Sequence, residues 1–342
     1  MVAADETDRR SRLRSVMLSA LVRDHLGGIA DVDVQVEVGA FAPGAGLTVG
    51  GQAWVLAQDE PQRGLGPAIA WALRRDADEV HVLAEHGSGT LARRAQAFGR
   101  PRLHVWRVVG RELQEADAEA LPEPPAPRPE HVELTATIRA GGATPALEHG
   151  VVTGEVRGLE VCRVVDDPST GAVRLEVGVG VHDREAFTMI HGDIPTVEAL
   201  RGVVDAVEQH RRADGPPHPL NRLAQARLLR WRLIQDPSAV GLHEVVAVEP
   251  PVPRIDDLRR AVPCVAHGHD AAGGEIVVVC SVGVDLDVIP YATDARLAAA
   301  HRAGVAPGDM ATMVVTPARD RVPVTEELAA SLVHPVQLAS PA

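Results

Sequence analysis

There is no lysine in this chain, so each of its 34 basic residues is an arginine. That absence excludes several mechanisms at once. There is no Schiff-base amine, no pyridoxal anchor, no Walker A lysine and no kinase strand lysine. Arginine does not substitute as a base, because its guanidinium stays protonated. Aromatic residues are only 2% of the chain, so the cores must be built from Val, Leu and Ala. The three cysteines, Cys162, Cys264 and Cys280, are an odd number in a large chain, which argues against a secreted disulfide framework. No apolar run approaches the roughly 18 residues a membrane helix needs. Half of the first ten residues, Met1 to Arg10, are charged, and they hold no apolar segment of the signal-peptide kind. The expected location is the cytoplasm, with no membrane partner.

What is present is ordinary in bulk. Apolar residues are 45% and charged residues 24% of 342, so the chain has enough apolar mass to fold, as two domains or three small ones. The net charge of -13 disfavours non-specific nucleic-acid binding, which draws on clustered cations. Proline marks the divisions: residues 122–129 hold five of them, a run that continues neither helix nor central strand. The expected plan is an α/β domain over 10–113, a Pro-rich linker over 114–131, a hairpin-plus-helix domain over 132–210, a linker over 211–219, and a second α/β domain over 220–338.

In the first block, periodicity predicts helices over 11–25, 65–73 and 91–98, and strands over 31–40, 52–57, 79–85 and 103–108. In the second, strands at 158–165 and 173–181 flank Asp166-Asp167-Pro168-Ser169-Thr170-Gly171, a turn sequence, and a helix follows over 196–210. In the third, a helix over 220–234 precedes a hairpin, 263–266 with 275–284. Helices near 292–302 and 325–332 alternate with a strand over 310–315 and a last short one. The first and third blocks share the order helix, hairpin, helix, strand, helix, strand, which suggests a duplication. The fold class is small mixed-sheet α/β domains. In element order they resemble the restriction-endonuclease-like core, where a helix Glu and an Asp…(Asp/Glu)-x-Lys hairpin bind a divalent metal. Here the lysine of that pattern is missing.

Four groups of residues carry chemical interest. On a strand over 173–181, Glu176, Gly178, Gly180 and His182 share one face and the valines share the other. If the register brings Glu160 to that sparse face, the Glu160 and Glu176 carboxylates lie close and hold a cation, with Glu148 as a third ligand. Carboxylates suit Mg²⁺ or Mn²⁺, and His182 would shift the choice towards Mn²⁺ or Zn²⁺. A metal-dependent hydrolase would then use Glu160, Glu176, His182 and Asp183 for catalysis, and Glu148, Glu160 and Glu176 for the metal. The alternatives are a solvated strand face, or carboxylates paired with arginine. Second, Cys264 and Cys280 fall opposite each other in the third-block hairpin, with His267 and His269 near its turn. Third, Asp285 and Asp287 at a strand end, with Asp294, Arg296, Arg319 and Asp320, could form a polar cleft. Fourth, Gly87-Ser88-Gly89-Thr90 opens a helix and offers amides to an anion or nucleotide, or else is a plain helix cap. The helix with Arg222, Arg227, Arg230, Trp231 and Arg232 joins arginine to an aromatic, as interfaces do. Three functions compete: a non-catalytic binding or scaffolding protein, with a protein partner or a second copy; the metal-dependent hydrolase; and a small-anion sensor.

Overall fold

A computed structural model describes residues 2–27, 35–37, 41, 44–184, 196–212, 218–253, 255 and 257–341. The chain forms two compact units that are not consecutive in sequence. The first takes Met1–Leu121, Val284–Leu297 and Arg321–Gln337; the second takes Pro122–Gly283, Ala298–Asp320 and Leu338–Ala342. The division differs from three blocks in series, because the third block contributes to both units. The described residues form three sheets.

In the first unit, α1 (Val2–His25) precedes a six-stranded sheet in the spatial order β1 (Gln35–Glu37), β2 (Gly44–Val49), β3 (Gln52–Ala57), β4 (Glu79–Ala84), β5 (Arg102–Val109), β6 (Glu112–Glu115). The rest of the expected strand over 31–40 lies outside the described residues. Strands β3, β4 and β5 are parallel, with α2 (Leu65–Leu73) and α3 (Ser88–Ala95) as the crossovers. Leu18, Leu21 and Val22 of α1 pack on Leu47, Trp54 and Leu56. Trp71 of α2 lies over the other face, against Gly46, where a Cβ would sit 2.8 Å from the ring. That close approach explains a glycine inside β2, a strand that its weak propensity hides.

The second unit holds two sheets. One is antiparallel, β7 (Thr144–Glu148), β8 (Val151–Val156), β9 (Leu159–Asp166) and β10 (Val173–Val177), with β7 and β10 at its edges. Short helices α4 (Pro129–Glu133) and α5 (Thr135–Ala140) precede it, and α6 (Thr196–His210) buries Leu200, Val204 and Val207 against it. The other sheet is β11 (Leu242–Ala247), β12 (Cys264–Asp270), β13 (Glu275–Cys280), β14 (Ala311–Val315) and β15 (Gln337–Ala339). Helix α7 (Gln225–Gln235) presses Ala226, Leu229 and Leu233 into it. Helices α8 (Val288–Ala303) and α9 (Pro323–Ala330) complete the element order.

The expected duplication has a structural counterpart. A helix, a three-strand antiparallel meander, a helix, a strand parallel to the third, a helix and a strand occur twice: α1 to β5, and α7 to β15.

No described helix is long and apolar enough to cross a membrane.

Two expectations about strands are corrected. The strand expected over 173–181 ends at Val177. Gly178 (φ +139°) and Gly180 (φ +79°) turn the chain, and residues 180–184 are helical. A side chain at 178 would meet the backbone of Arg184 at 2.8 Å. The glycines therefore turn the chain towards this helical segment rather than bare a strand face. In the third block, Gly268 and His269, expected in the turn, extend β12, and Asp270 closes the turn by accepting from the amides of Ala272 and Gly274, each at 2.8 Å.

Candidate functional site: an arginine-floored cleft

The site is built by two tight turns and one helix. His149 (φ +48°) and Gly150 (φ +75°) join β7 to β8, and Arg157 (φ +49°) and Gly158 (φ +75°) join β8 to β9. Positive φ at both central residues is the two-residue hairpin turn that matches strand twist. The first turn leaves Glu148 at the end of edge strand β7. The second lies so close to α7 that a Cβ on Gly158 would meet the Arg227 backbone at 2.5 Å. Glycine there serves both the dihedral and the approach.

Helix α7 then sends Arg227 and Arg230 between the sheets. Arg227 donates to Glu148, through two nitrogens, and to Glu155 at 2.7 Å. Arg230 donates to Glu148 at 3.3 Å and to the carbonyl of Val265 at 3.1 Å. Glu148, Glu155 and Arg230 are all more than nine-tenths buried. Burial works against the Arg227 charge, and Glu155 and Glu148 more than restore it, so its pKa is raised. A charge pair in low dielectric persists only with such complete partnering.

Above this floor lies a cleft of about 310 Å³. Strand β7 lines one side, and Trp231, Ile234 and the chain over 247–249 complete it. Arg157 sits 5.3 Å over the Trp231 ring. Glu249 accepts from the His149 amide, and the His149 ring lies 2.9 Å from the carbonyl of Pro250. Behind the cleft, fully buried Arg211 donates to four backbone carbonyls, of Arg157, Leu220, Leu223 and Ala224. Burial lowers its pKa to about 10. It ties the end of α6 to the start of α7.

The structure pairs each of the expected metal ligands with arginine. Glu148 is held by Arg227 and Arg230. Glu160 accepts from Arg163 and Arg184, both at 2.8 Å. Glu176 accepts from Arg174 at 2.8 Å, with Arg184 at 3.6 Å. In the β9–β10 register Glu176 faces Arg163, which itself bonds Glu160, and Arg184 reaches both acids, so guanidiniums occupy the place a cation would take. Asp183 accepts from the Val179 amide at 2.7 Å and closes the turn, while His182 is exposed on the helical segment rather than on a strand. Among the described residues no group of three or more His, Cys, Asp and Glu side chains is placed to hold a metal ion.

The other candidates resolve as follows. Cys264 and Cys280 are cross-strand partners, both free and buried. His267 pairs with Val277 and, three positions on, points to the opposite face of the sheet from Cys264. Strand β13 ends at Cys280, so Asp285 and Asp287 lie in the connection to α8, not on a strand face. In the first unit they join a cluster whose centre, Arg93, Arg94, Asp287 and Asp294, is buried and whose Arg63–Asp285 rim is partly exposed. Arg63 pairs with Asp285, Arg94 with Asp287 and Asp294, and Arg93 with Asp294, at 2.7–2.9 Å. Burial pushes the Asp287 carboxyl up to about 7, against the pull of Arg94. Arg296 donates to the carbonyls of His334 and Pro335, and Asp320 accepts from the Gly283 amide. Arg319 is largely exposed. Gly87 (φ +69°) holds the N-cap position of α3, so Ser88 and Thr90 lie inside the helix rather than at its cap. A Cβ on Gly89 would meet Glu119, whose Oε1 lies 2.7 Å from that point, so an internal carboxylate already stands over this turn. Of the arginine helix, Arg222 lies in a separate 3₁₀ turn, and Arg232 is exposed.

Sequence reasoning missed the pairing of Arg227 and Arg230 with Glu148 and Glu155. The available signal was Glu-His-Gly and Val-Arg-Gly, each between alternating residues, which marks the two turns that position them. No family model, no curated protein and no solved structure matches this chain.

Proposed function

We propose that this protein is a non-catalytic binding module that holds an extended segment of a partner protein along β7, and that it works in the cytoplasm. One observation carries the reading: the charged groups around the cleft are already bonded to one another, while edge strand β7 has no strand partner on its outer side among the described residues. Paired carboxylates are not available as metal ligands or as a general base. A sheet edge, by contrast, offers backbone donors and acceptors that an extended chain matches. Leu147, 41% exposed, with Trp231, Ile234 and Val248 supplies apolar contact along that edge. Pro145 removes one donor from β7, which limits pairing to a short stretch and discourages open-ended strand stacking. The three unpaired cysteines agree with a reducing compartment.

The test is selection from a library of random displayed peptides on the full chain. Wild type should enrich extended sequences with alternating apolar residues. Trp231→Ala and Leu147→Asp should each weaken the selected peptides by about tenfold or more. Enrichment indifferent to both substitutions, or no enrichment, overturns the reading; self-association blocked by Leu147→Asp would identify a second copy as the occupant.

A further inference from the structure

The second unit also contains a dithiol. Cys264 and Cys280 are direct partners in the β12–β13 ladder, and both side chains belong to the core beneath α7. The two thiols are within hydrogen-bonding reach of each other. Partners in an antiparallel pair have Cα atoms about 4.5–5.5 Å apart, within the span a disulfide bridges. Arg230, which bonds the carbonyl of the next residue, Val265, supplies positive charge beside Cys264, and Arg227 adds to it. Burial alone would raise the Cys264 pKa; the Cys280 thiol and these guanidiniums reverse that and lower it. Cys280 moves the other way, raised by its bond to Cys264 and by burial. Cys264, at the start of β12 and beside these guanidiniums, is placed as the nucleophile, and Cys280 across the ladder as the resolving thiol.

Access comes from position. Cys264 is the first residue of β12 and follows residues 261–263, which have no regular structure, so opening of one strand end uncovers it. Arg230 lines the cleft, which brings solvent to the same corner. Cys162 is the built-in contrast. It is equally buried, belongs to the other sheet's core, has no cysteine partner, and burial pushes its thiol up to about 12.

We propose that Cys264 and Cys280 form a reversible cross-strand disulfide when the protein meets a hydroperoxide. The Cys264 thiolate attacks the peroxide oxygen, the O–O bond breaks, and hydroxide leaves, giving a sulfenic acid. The Cys280 sulfur then attacks Cys264, the S–O bond breaks, and water leaves. Overall two thiols lose two protons and two electrons, and one hydrogen peroxide becomes two waters. A dithiol reductant reverses it.

The sequence makes the readout direct. No arginine lies between Arg260 and Arg296 and the chain has no lysine, so trypsin leaves both cysteines in the single peptide 261–296, while Cys162 falls in 158–163. The full chain is treated with hydrogen peroxide, denatured, alkylated and digested. Peptide 261–296 should be lighter by two hydrogens and refuse the label, and should return to two labelled thiols after dithiothreitol. Peptide 158–163 should label fully, its oxidation being slower by at least about tenfold. In Cys280→Ser, a sulfenic-acid trap should mark Cys264 and no disulfide should form. Two labelled thiols in 261–296 after peroxide, oxidation of Cys162 at a matching rate, or sulfinic acid on Cys264 beside a free Cys280 would each overturn the proposal.

Discussion

Two buried charge clusters use the same chemistry for different ends. In the first unit three arginines meet three aspartates, and Asp294 is fully enclosed. In the second unit two arginines meet two glutamates, and a cleft opens above them. Both clusters join segments far apart in sequence, which is where local hydrogen bonds do not reach. The difference is the state of the acids. Asp287 is buried well enough that its carboxyl is pushed up to about 7, so its charge is marginal near neutrality. Glu148 receives donors from two arginines, each through two nitrogens. The first cluster is a seal and the second is a floor.

The sharpest break of that comparison is Arg227→Met. It removes the shorter ion pairs of Glu148 and Glu155 and leaves the longer contacts to Arg230, at 3.3 and 3.9 Å. Chemical denaturation at pH 7 should show a loss of about 3–5 kcal/mol, the usual consequence of stranding a buried charge. A loss below about 1 kcal/mol would mean that the floor is wet.

Arg94→Met probes the seal, and its effect should depend on pH. The folded Asp287 pKa lies above the unfolded one, near 3.8, so the proton it holds stabilises the fold at low pH, and that stability is lost as pH rises through about 7. Without Arg94 the carboxyl holds its proton more tightly still. The variant should therefore fall short of wild type by about 1 kcal/mol at pH 5, where Asp287 is neutral in both, and by about 3–5 kcal/mol at pH 8. A deficit independent of pH would contradict the contrast between the clusters.

The smallest effect comes from a neutral buried base in the first unit. His81 stacks on Trp54 at 3.7 Å and accepts from the Trp106 indole at 3.1 Å. Burial, helped by His104 and opposed by Glu79, lowers its pKa to about 4. The unfolded chain takes up this proton first, so stability is complete above about 6.5 and falls as pH drops towards 4. His81→Phe should flatten that part of the stability curve, opposite in sign to the Asp287 contribution.

Much of the fold was readable because it is periodic. Gln52–Ala57 and Leu65–Leu73 follow their apolar patterns to the residue, and the 166–171 turn closes the β9–β10 hairpin. Strand β2 was hidden, because its glycines answer to Leu56 and Trp71, not to strand propensity. The same cause misled the reading of Gly178 and Gly180: a glycine records a close approach or a turn, and sequence does not say which. The charged site was legible residue by residue but not as pairs. Glu148 and Arg227 are 79 positions apart, and nothing local in either segment specifies the other.

The most direct measurement is amide hydrogen exchange of the full chain with and without a selected peptide. The account predicts slowed exchange across Thr144–Glu148 of β7, with the amides of β10, the other edge of that sheet, unchanged. Protection confined to β10, or none in β7 at saturating peptide, would contradict it.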